Sequence, residues 1–542
     1  MGCNASCSGD RTTTSYEVSP EEKISNPGSM PNHEKHRAVY ARAEGETDLT
    51  TNEVKLVLTK EDIKKKLVEP FMKALEGESR NVTELKPDEP PKKEGEDGDN
   101  DQNNANSNEE PNHIAKLASE QQFTGDATKI KSLKLTNSDI RDLGVEVLLE
   151  YALSNIESIE LDRNNITATG ARLLSEKASW AKLEHLKLAE NEIGVEGAEA
   201  LSKNFSMKNL TTLDLSKCKL ENKGVIALSR NHSWVKLTTL DLSDNNFDND
   251  GLVALAKNAS WKNLTTLILS SNKTPGAGGA TELSNNQSWV NLTTLELAYN
   301  DLGAEGAAAL SSNTTWTNLT TLNLKHNGIG AEGAEAIAKN TSWKNLTTLD
   351  LSWNKIGDKG ITELSKNTTW ENLTTLHVAW NKITDEGAKE ISQNTSWVKL
   401  STLDLGYNNI GDEGATALRK NTTWTDLTTF IFRNNNIGVK GAKALSENET
   451  WTKLASLDLG YNNLGPDGAS GLSQNNSWKE LAILNLRGNL IGDNGAAGLS
   501  KSYSWKNLLK VDLRNNNIGK EGEKTLRNKW PKLEIELENP QA

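Results

Sequence analysis

Residues 346–370 read LTTLDLSWNKIGDKGITELSKNTTW. Leu349 and Leu351 alternate with polar residues, the spacing of a short strand with one buried face. Asn354 follows, where the chain must turn. Gly360 and Ile361 then open a helical spacing that reaches Leu364. Trp370 closes the stretch and returns the chain to another copy of its beginning. The stretch therefore predicts a strand, a turn and a helix that repeat.

They do repeat. Counterparts of Leu346 stand at Leu183, Leu210, Leu237, Leu264, Leu292, Leu319, Leu373, Leu400, Leu427, Leu454, Leu481 and Leu508. The step is 27 residues, with one step of 28 across NKTPGAGG (272–279). Two earlier units begin at Ile130 and Ile156, giving about fifteen in all, with a degenerate end at KWPKLEIELENP. The common text is L-x-x-L-x-L-x-x-N-x-I-G-x-x-G-A-x-x-L-S-x-N-x-x-W. Asn191, Asn245, Asn354, Asn408 and Asn462 share one position; once buried, such an amide serves backbone groups of adjacent turns and forms a ladder. Small residues such as Gly333 and Ala334 are expected to let the helix approach the strand layer, with Ile337 facing inward. Trp343, Trp370 and Trp397 read as core. No unit buries its apolar face alone, so the units must stack. The fold class is an α/β solenoid: a horseshoe with a parallel β-sheet on the concave face and helices on the convex face.

This unit, with I-G-x-x-G-A-x-x-L in its helix, resembles the ribonuclease-inhibitor subtype of leucine-rich repeats, found in the sensor regions of NOD-like receptors and in the Ran GTPase-activating protein. The resemblance covers about residues 130–530. It implies a cytosolic protein with a concave protein-binding surface. No G-x-x-x-x-G-K-[ST] occurs, so a complete NOD-like receptor is not expected.

Bulk properties agree. Hydrophobic residues make up 35% of the 542, below the usual share of about 45–50%, as suits a thin repetitive solid. The net charge of −13 argues against nucleic acid as partner. No run of about 18 apolar residues is present to span a membrane. Of three cysteines only Cys218 lies among the repeats, which excludes a disulfide framework there.

The first ten residues, MGCNASCSGD, fit an acylation signal (1–10). Gly2 is the expected myristoylation site, and Cys3 and Cys7 are candidates for palmitate. One myristoyl chain binds membrane only weakly, so a second acyl chain is needed for a stable anchor. The expected location is the cytoplasmic face of a membrane. Residues 11–127 read as a mostly disordered acidic arm. Its stretch DEPPKKEGEDGDNDQNNANSNEE (88–110) has nine acids and two bases and cannot bury a core. A short helix over 59–78 interrupts the arm, with Ile63, Leu67, Phe71 and Leu75 on one face. The repeats fill 128–530, and 531–542 form the C-terminal end.

Aligning the units gives columns along the concave face. One is often acidic: Asp214, Asp241, Glu296, Asp350, Asp404, Asp458 and Asp512. Carboxylates about 5 Å apart repel by about 1 kcal/mol in water, which would favour a basic partner. The other reading is that Asp is filler in this repeat, since Ile268, Asn323, His377 and Ile431 interrupt the column. The column just before the ladder asparagine reads Tyr299, His326, Trp353, Trp380, Tyr407, Asn434, Tyr461, whereas earlier units carry Arg163, Glu190, Lys217, Asp244 and Ser271. Trp353 thus belongs to a local aromatic stripe and Trp370 to the repeat's skeleton. Exposed Tyr and Trp dominate binding hot spots; alternatively the rings serve only one another. Arg433, Arg487 and Arg514 would flank such a site.

The many N-x-[ST] sequons (Asn209, Asn263, Asn291, Asn313, Asn345, Asn367, Asn421) follow from the repeat text. No nucleophile–base pair, metal cluster or cofactor motif stands out. The expectation is a non-enzymatic scaffold or receptor without cofactor, binding a protein on its concave surface and tethered through N-terminal acyl chains. A small-GTPase regulator and a pathogen effector that uses host acylation are the alternatives.

Overall fold

The computed structural model describes residues 130–151, 153–176 and 180–537. The expectations for Gly2, Cys3, Cys7 and the 11–127 arm, with its 59–78 helix, lie outside the described residues.

Among the described residues, sixteen parallel strands run in chain order from β1 (Ser132–Lys134) to β16 (Glu534–Glu536), each joined to the next through a helix. The sheet does not close. It lines the concave side of an α/β solenoid, with the helices on the other side. Every strand has three residues, far too few to stand alone. Like residues pair in register: Thr348 with Thr375, Leu349 with Leu376, and Asp350 with His377. The aligned columns of the sequence are therefore physical columns. The sixteenth strand comes from the degenerate end LEIEL. Its exposed edge is charged, and Lys510 and Arg514 bind it through Glu534 and Glu536. Charge on an edge strand discourages further pairing.

Between sheet and helices the core is continuous. Leu346, Leu349, Leu351, Ile356, Ile361, Trp370 and Leu373 are all fully buried. The role expected for the helix glycine is corrected. A Cβ on Gly333 would meet Ala304 Cα and Ala307 Cβ, both at 3.1 Å, on the preceding helix, and Ile329 of its own unit at 2.2 Å. The glycine thus sets the distance between helices, not the distance to the strands. The one 28-residue step leaves the register intact, Thr266 pairing with Thr294. Gly276, at φ 66°, takes up the extra residue ahead of helix Ala277–Asn285.

The asparagine ladder is built as expected. Asn354 Oδ1 accepts the Asn327 N–H at 2.9 Å and the Ile329 N–H at 3.3 Å, both in the preceding unit. Its Nδ2 donates to Leu324 O at 2.8 Å and Leu351 O at 3.0 Å. A second ladder, unforeseen in the sequence, uses the asparagine of L-S-x-N. Asn367 donates to Ala338 O at 2.7 Å and accepts the Thr369 N–H at 2.8 Å. The sequon residues Asn313, Asn367 and Asn421 belong to this second ladder and are buried.

Cys218 occupies a rung of the first ladder. Its thiol donates to Leu188 O at 3.1 Å, the carbonyl an amide would take. Burial pushes this thiol up to about 12, so it stays protonated. It has one polar atom where asparagine has two. Cys218→Asn should therefore raise stability by about 1 kcal/mol, whereas Asn354→Ala should lower it by about 3 kcal/mol by stranding buried backbone groups. Urea midpoints of the two variants check this; a midpoint for Cys218→Asn at or below that of the parent would show that the thiol serves the ladder as well as the amide.

Candidate binding face

The residue before each ladder asparagine has to reverse the chain, and it does so in the left-handed region. Tyr299, His326, Trp353, Trp380, Tyr407 and Tyr461 have φ between 53° and 61°. This conformation suits Asn and Gly, and other residues reach it at a cost of about 1–2 kcal/mol. Asn137, Asn434, Asn515 and Gly488 hold the same position elsewhere in the array. Six bulky rings therefore sit where backbone preference disfavours them.

The rings stack. Centroids lie 4.7 Å apart for Tyr299–His326, 5.8 Å for His326–Trp353, 4.0 Å for Trp353–Trp380 and 4.0 Å for Trp380–Tyr407. Such pairs contribute about 0.5–1.5 kcal/mol each, roughly offsetting the backbone cost. Tyr299 is 38% exposed and the others are half-buried. Cations extend the stack at both ends. Lys325 lies over Tyr299 at 5.8 Å, and the Arg433 guanidinium lies 5.3 Å from the Tyr407 ring and 5.7 Å from the Tyr461 ring. Arg487 covers Tyr461 at 5.5 Å. Among the described residues, the indole N–H groups of Trp353 and Trp380 and the hydroxyls of Tyr299, Tyr407 and Tyr461 have no hydrogen-bond partner, and none is sealed from water.

In the first repeats the same column compensates itself. Glu190 bridges Arg163 at 3.0 Å and Lys217 at 3.1 Å.

The acidic column has a structural task that the sequence did not reveal. Asp350 Oδ1 accepts the Ser352 N–H at 2.8 Å, and Asp404 Oδ1 accepts the Gly406 N–H at 2.9 Å. Asn323 and Asn485 do the same for Lys325 and Arg487, at 3.0 Å each. At its Asp and Asn positions the column that reads as a broken acidic ladder caps its own strand ends, a task for which Asp and Asn are equivalent, whereas Ile268, Glu296, His377 and Ile431 make no such cap. Burial raises the pKa of Asp241, Glu296 and Asp458. Arg514, expected to flank the stripe, is instead tied to Asp512 and Glu536.

On the opposite rim, Thr320, Thr347 and Thr374 each donate a hydroxyl to the carbonyl one unit back, at 3.0 Å. With Asn291, Asn318 and Asn345 they line a shallow groove of about 1040 Å³. Among the described residues no group of three or more His, Cys, Asp or Glu could hold a metal.

His377 lies between Asp350 and Asp404 in register, with Nδ1 3.6 Å from Asp404 Oδ2. The Asp404 carboxylate beside it raises its pKa above the ordinary 6.5, against the opposing effect of burial. A raised folded-state pKa stabilises the fold below the unfolded value, and that gain disappears as pH rises through the folded value. Asp404→Asn should therefore lower the urea midpoint more at pH 5.5 than at pH 8.5, and NMR titration should show the His377 pKa falling. An equal loss at both pH values would contradict this.

Eleven segments, the first at 181–202 and the last at 506–526, match the family described as Leucine Rich repeat. Among solved structures, an internalin of Listeria monocytogenes aligns at 22% identity over 64% of this chain and 86% of its own, with a TM-score of 0.45. A leucine-rich repeat protein of Leptospira interrogans aligns at 21% over 76% and 96%, with a TM-score of 0.46. The yeast Rad7–Elc1 complex aligns at 17% over 68% and 83%, with a TM-score of 0.41. None of these reaches a TM-score of 0.5, and the fold rests on the chain's own geometry. No curated protein matches the chain.

Proposed function

We propose that this chain, a leucine-rich repeat protein, is a non-enzymatic scaffold that holds a protein partner on its concave face at the aromatic stripe. Repeats of this kind imply a protein–protein interaction scaffold. The helix in every unit supports placing them in the ribonuclease-inhibitor subtype. One observation carries the reading of the site. Six aromatic residues occupy a left-handed backbone column where Asn or Gly would fold at least as well. Stacking and backbone cost nearly cancel, so stability alone does not account for them, whereas contact with a partner does. Tyr and Trp supply large, rigid contact area with a polar tip. On this reading Tyr299, His326, Trp353, Trp380, Tyr407 and Tyr461 form the contact, with Asp350, Asp404 and Arg433 bordering it.

The test is capture of partners by the full chain and by a variant with Trp353, Trp380 and Tyr407 changed to Ala. The variant should lose specific partners while keeping the parent's circular dichroism. Retention of every partner would reduce the stripe to a structural stack.

The proposal includes a tether: acyl chains on Gly2, with Cys3 and Cys7, hold the scaffold on a cytoplasmic membrane face. Gly2→Ala should then move the protein from the membrane to the soluble fraction of cells, and unchanged membrane retention would rule the tether out.

A further inference from the structure

The strand-end column beside the stripe carries a pattern that the repeat does not require. It is basic in four units, at Lys325, Arg433, Arg487 and Arg514. In three of these the floor position two residues earlier is neutral: Asn323, Ile431 and Asn485. The asparagines keep the backbone cap and drop the charge. The fourth unit keeps its acid, Asp512, and there Arg514 folds back onto it at 2.9 Å and is neutralised. Lys325, Arg433 and Arg487 therefore have no carboxylate at the floor position of their own strand, and among the described residues none forms an ion pair.

Arg433 and Arg487 stand on either side of Tyr461. The Nε of each is buried without a hydrogen-bond partner. Gly488 makes the arrangement possible, because a Cβ there would lie 2.7 Å from the Tyr461 ring. The stacked faces of the stripe are taken up by neighbouring rings and by these guanidinium groups, so what it offers outward is ring edges, which are partially positive, and polar tips. A cationic partner would find ring faces covered and guanidinium groups in the way. A carboxylate would find two planar forks of N–H donors. The floor carboxylates of the neighbouring strands are engaged elsewhere: Asp404 and Asp458 accept the Gly406 and Gly460 N–H groups, at 2.9 and 2.8 Å, and Asp512 holds Arg514, so Arg433 and Arg487 act on Asp458 and Asp512 only at a distance, without an ion pair.

We infer that Arg433 and Arg487, set around Tyr461, anchor the carboxylate side chains of an acidic peptide segment of the partner. This rests on the concave-face reading above and adds the partner's chemistry, which is the reverse of the basic partner suggested by the acidic column.

The test uses the full chain and fluorescein-labelled poly-L-glutamate of about twenty residues, long enough when extended to pass both arginines. Poly-L-lysine of the same length is the comparison, and anisotropy at about 0.1 M salt is the readout. Poly-glutamate should bind, and the double variant Arg433→Gln, Arg487→Gln should weaken it about tenfold or more. Arg514→Gln, whose guanidinium is already paired, should change it by less than about twofold. Preference for poly-lysine, no binding of either polymer, or an affinity indifferent to the double variant would overturn the inference. The loss of partners in the Trp353, Trp380, Tyr407 variant would then still stand on its own. Poly-glutamate binding that appears only after the nine acids of 88–110 are changed to their amides would assign the arginines to the chain's own acidic segment, and would overturn a role for a separate partner.

Discussion

One side-chain amide per turn sets the terms for this molecule. Asn354 accepts two N–H groups of the unit before it and donates to carbonyls of that unit and its own. Every such asparagine is half satisfied by its predecessor, so no unit is complete without a neighbour. The same bond fixes the register, because the amide reaches its partners only when like residues lie side by side. It also forces the preceding residue into the left-handed region and thereby projects that side chain from the rim. The column most open to variation is thus a by-product of the least variable contact.

The array uses that column, with the strand-end column beside it, in three ways. Near the start, Arg163, Glu190 and Lys217 satisfy one another. In the middle, five aromatic rings follow one another, stacked except for the tilted His326–Trp353 pair. Toward the end, arginines alternate with tyrosines, and neutral floor residues leave two of them unpaired. Core and ladders continue through all three zones, with Cys218 the substituted rung of the first ladder. Specificity in such a solid resides in columns that the core does not constrain, consistent with the monotony of the Thr320, Thr347 and Thr374 row on the opposite rim.

Much of this was legible in the sequence, because in a parallel array of fixed period the text alignment is the hydrogen-bond register. That equivalence separated Trp370, a core residue, from Trp353, a rim residue. What stayed hidden were contacts whose second partner is backbone. The capping of strand ends by Asp350 and Asp404 cannot be read from their letters, and Asn323 looked like an interruption although it performs the same task. The second asparagine ladder was masked by its resemblance to glycosylation sequons. The helix glycines were assigned to the wrong neighbour because spacing gives the face of a helix but not which layer it meets. Arg514 looked equivalent to Arg433 and Arg487 until Asp512 was seen to hold it. The last strand escaped because its unit has lost most of the repeat's consensus residues.

The run of rings from Trp353 to Tyr407 has a mechanical consequence. At 4.0 Å, neighbouring planes such as Trp353 and Trp380 are near the thickness of an aromatic ring. Tightening the arc would compress the rings, and opening it would part them and forfeit the stacking. The stack therefore acts as a strut along one rim and gives the middle of the horseshoe a higher bending rigidity than its ends. Compliance is left to the repeats that lack the strut, including those before the 28-residue step at Gly276, so a ligand that required the arc to flex would have to draw on the ends, while the centre offers it a fixed curvature.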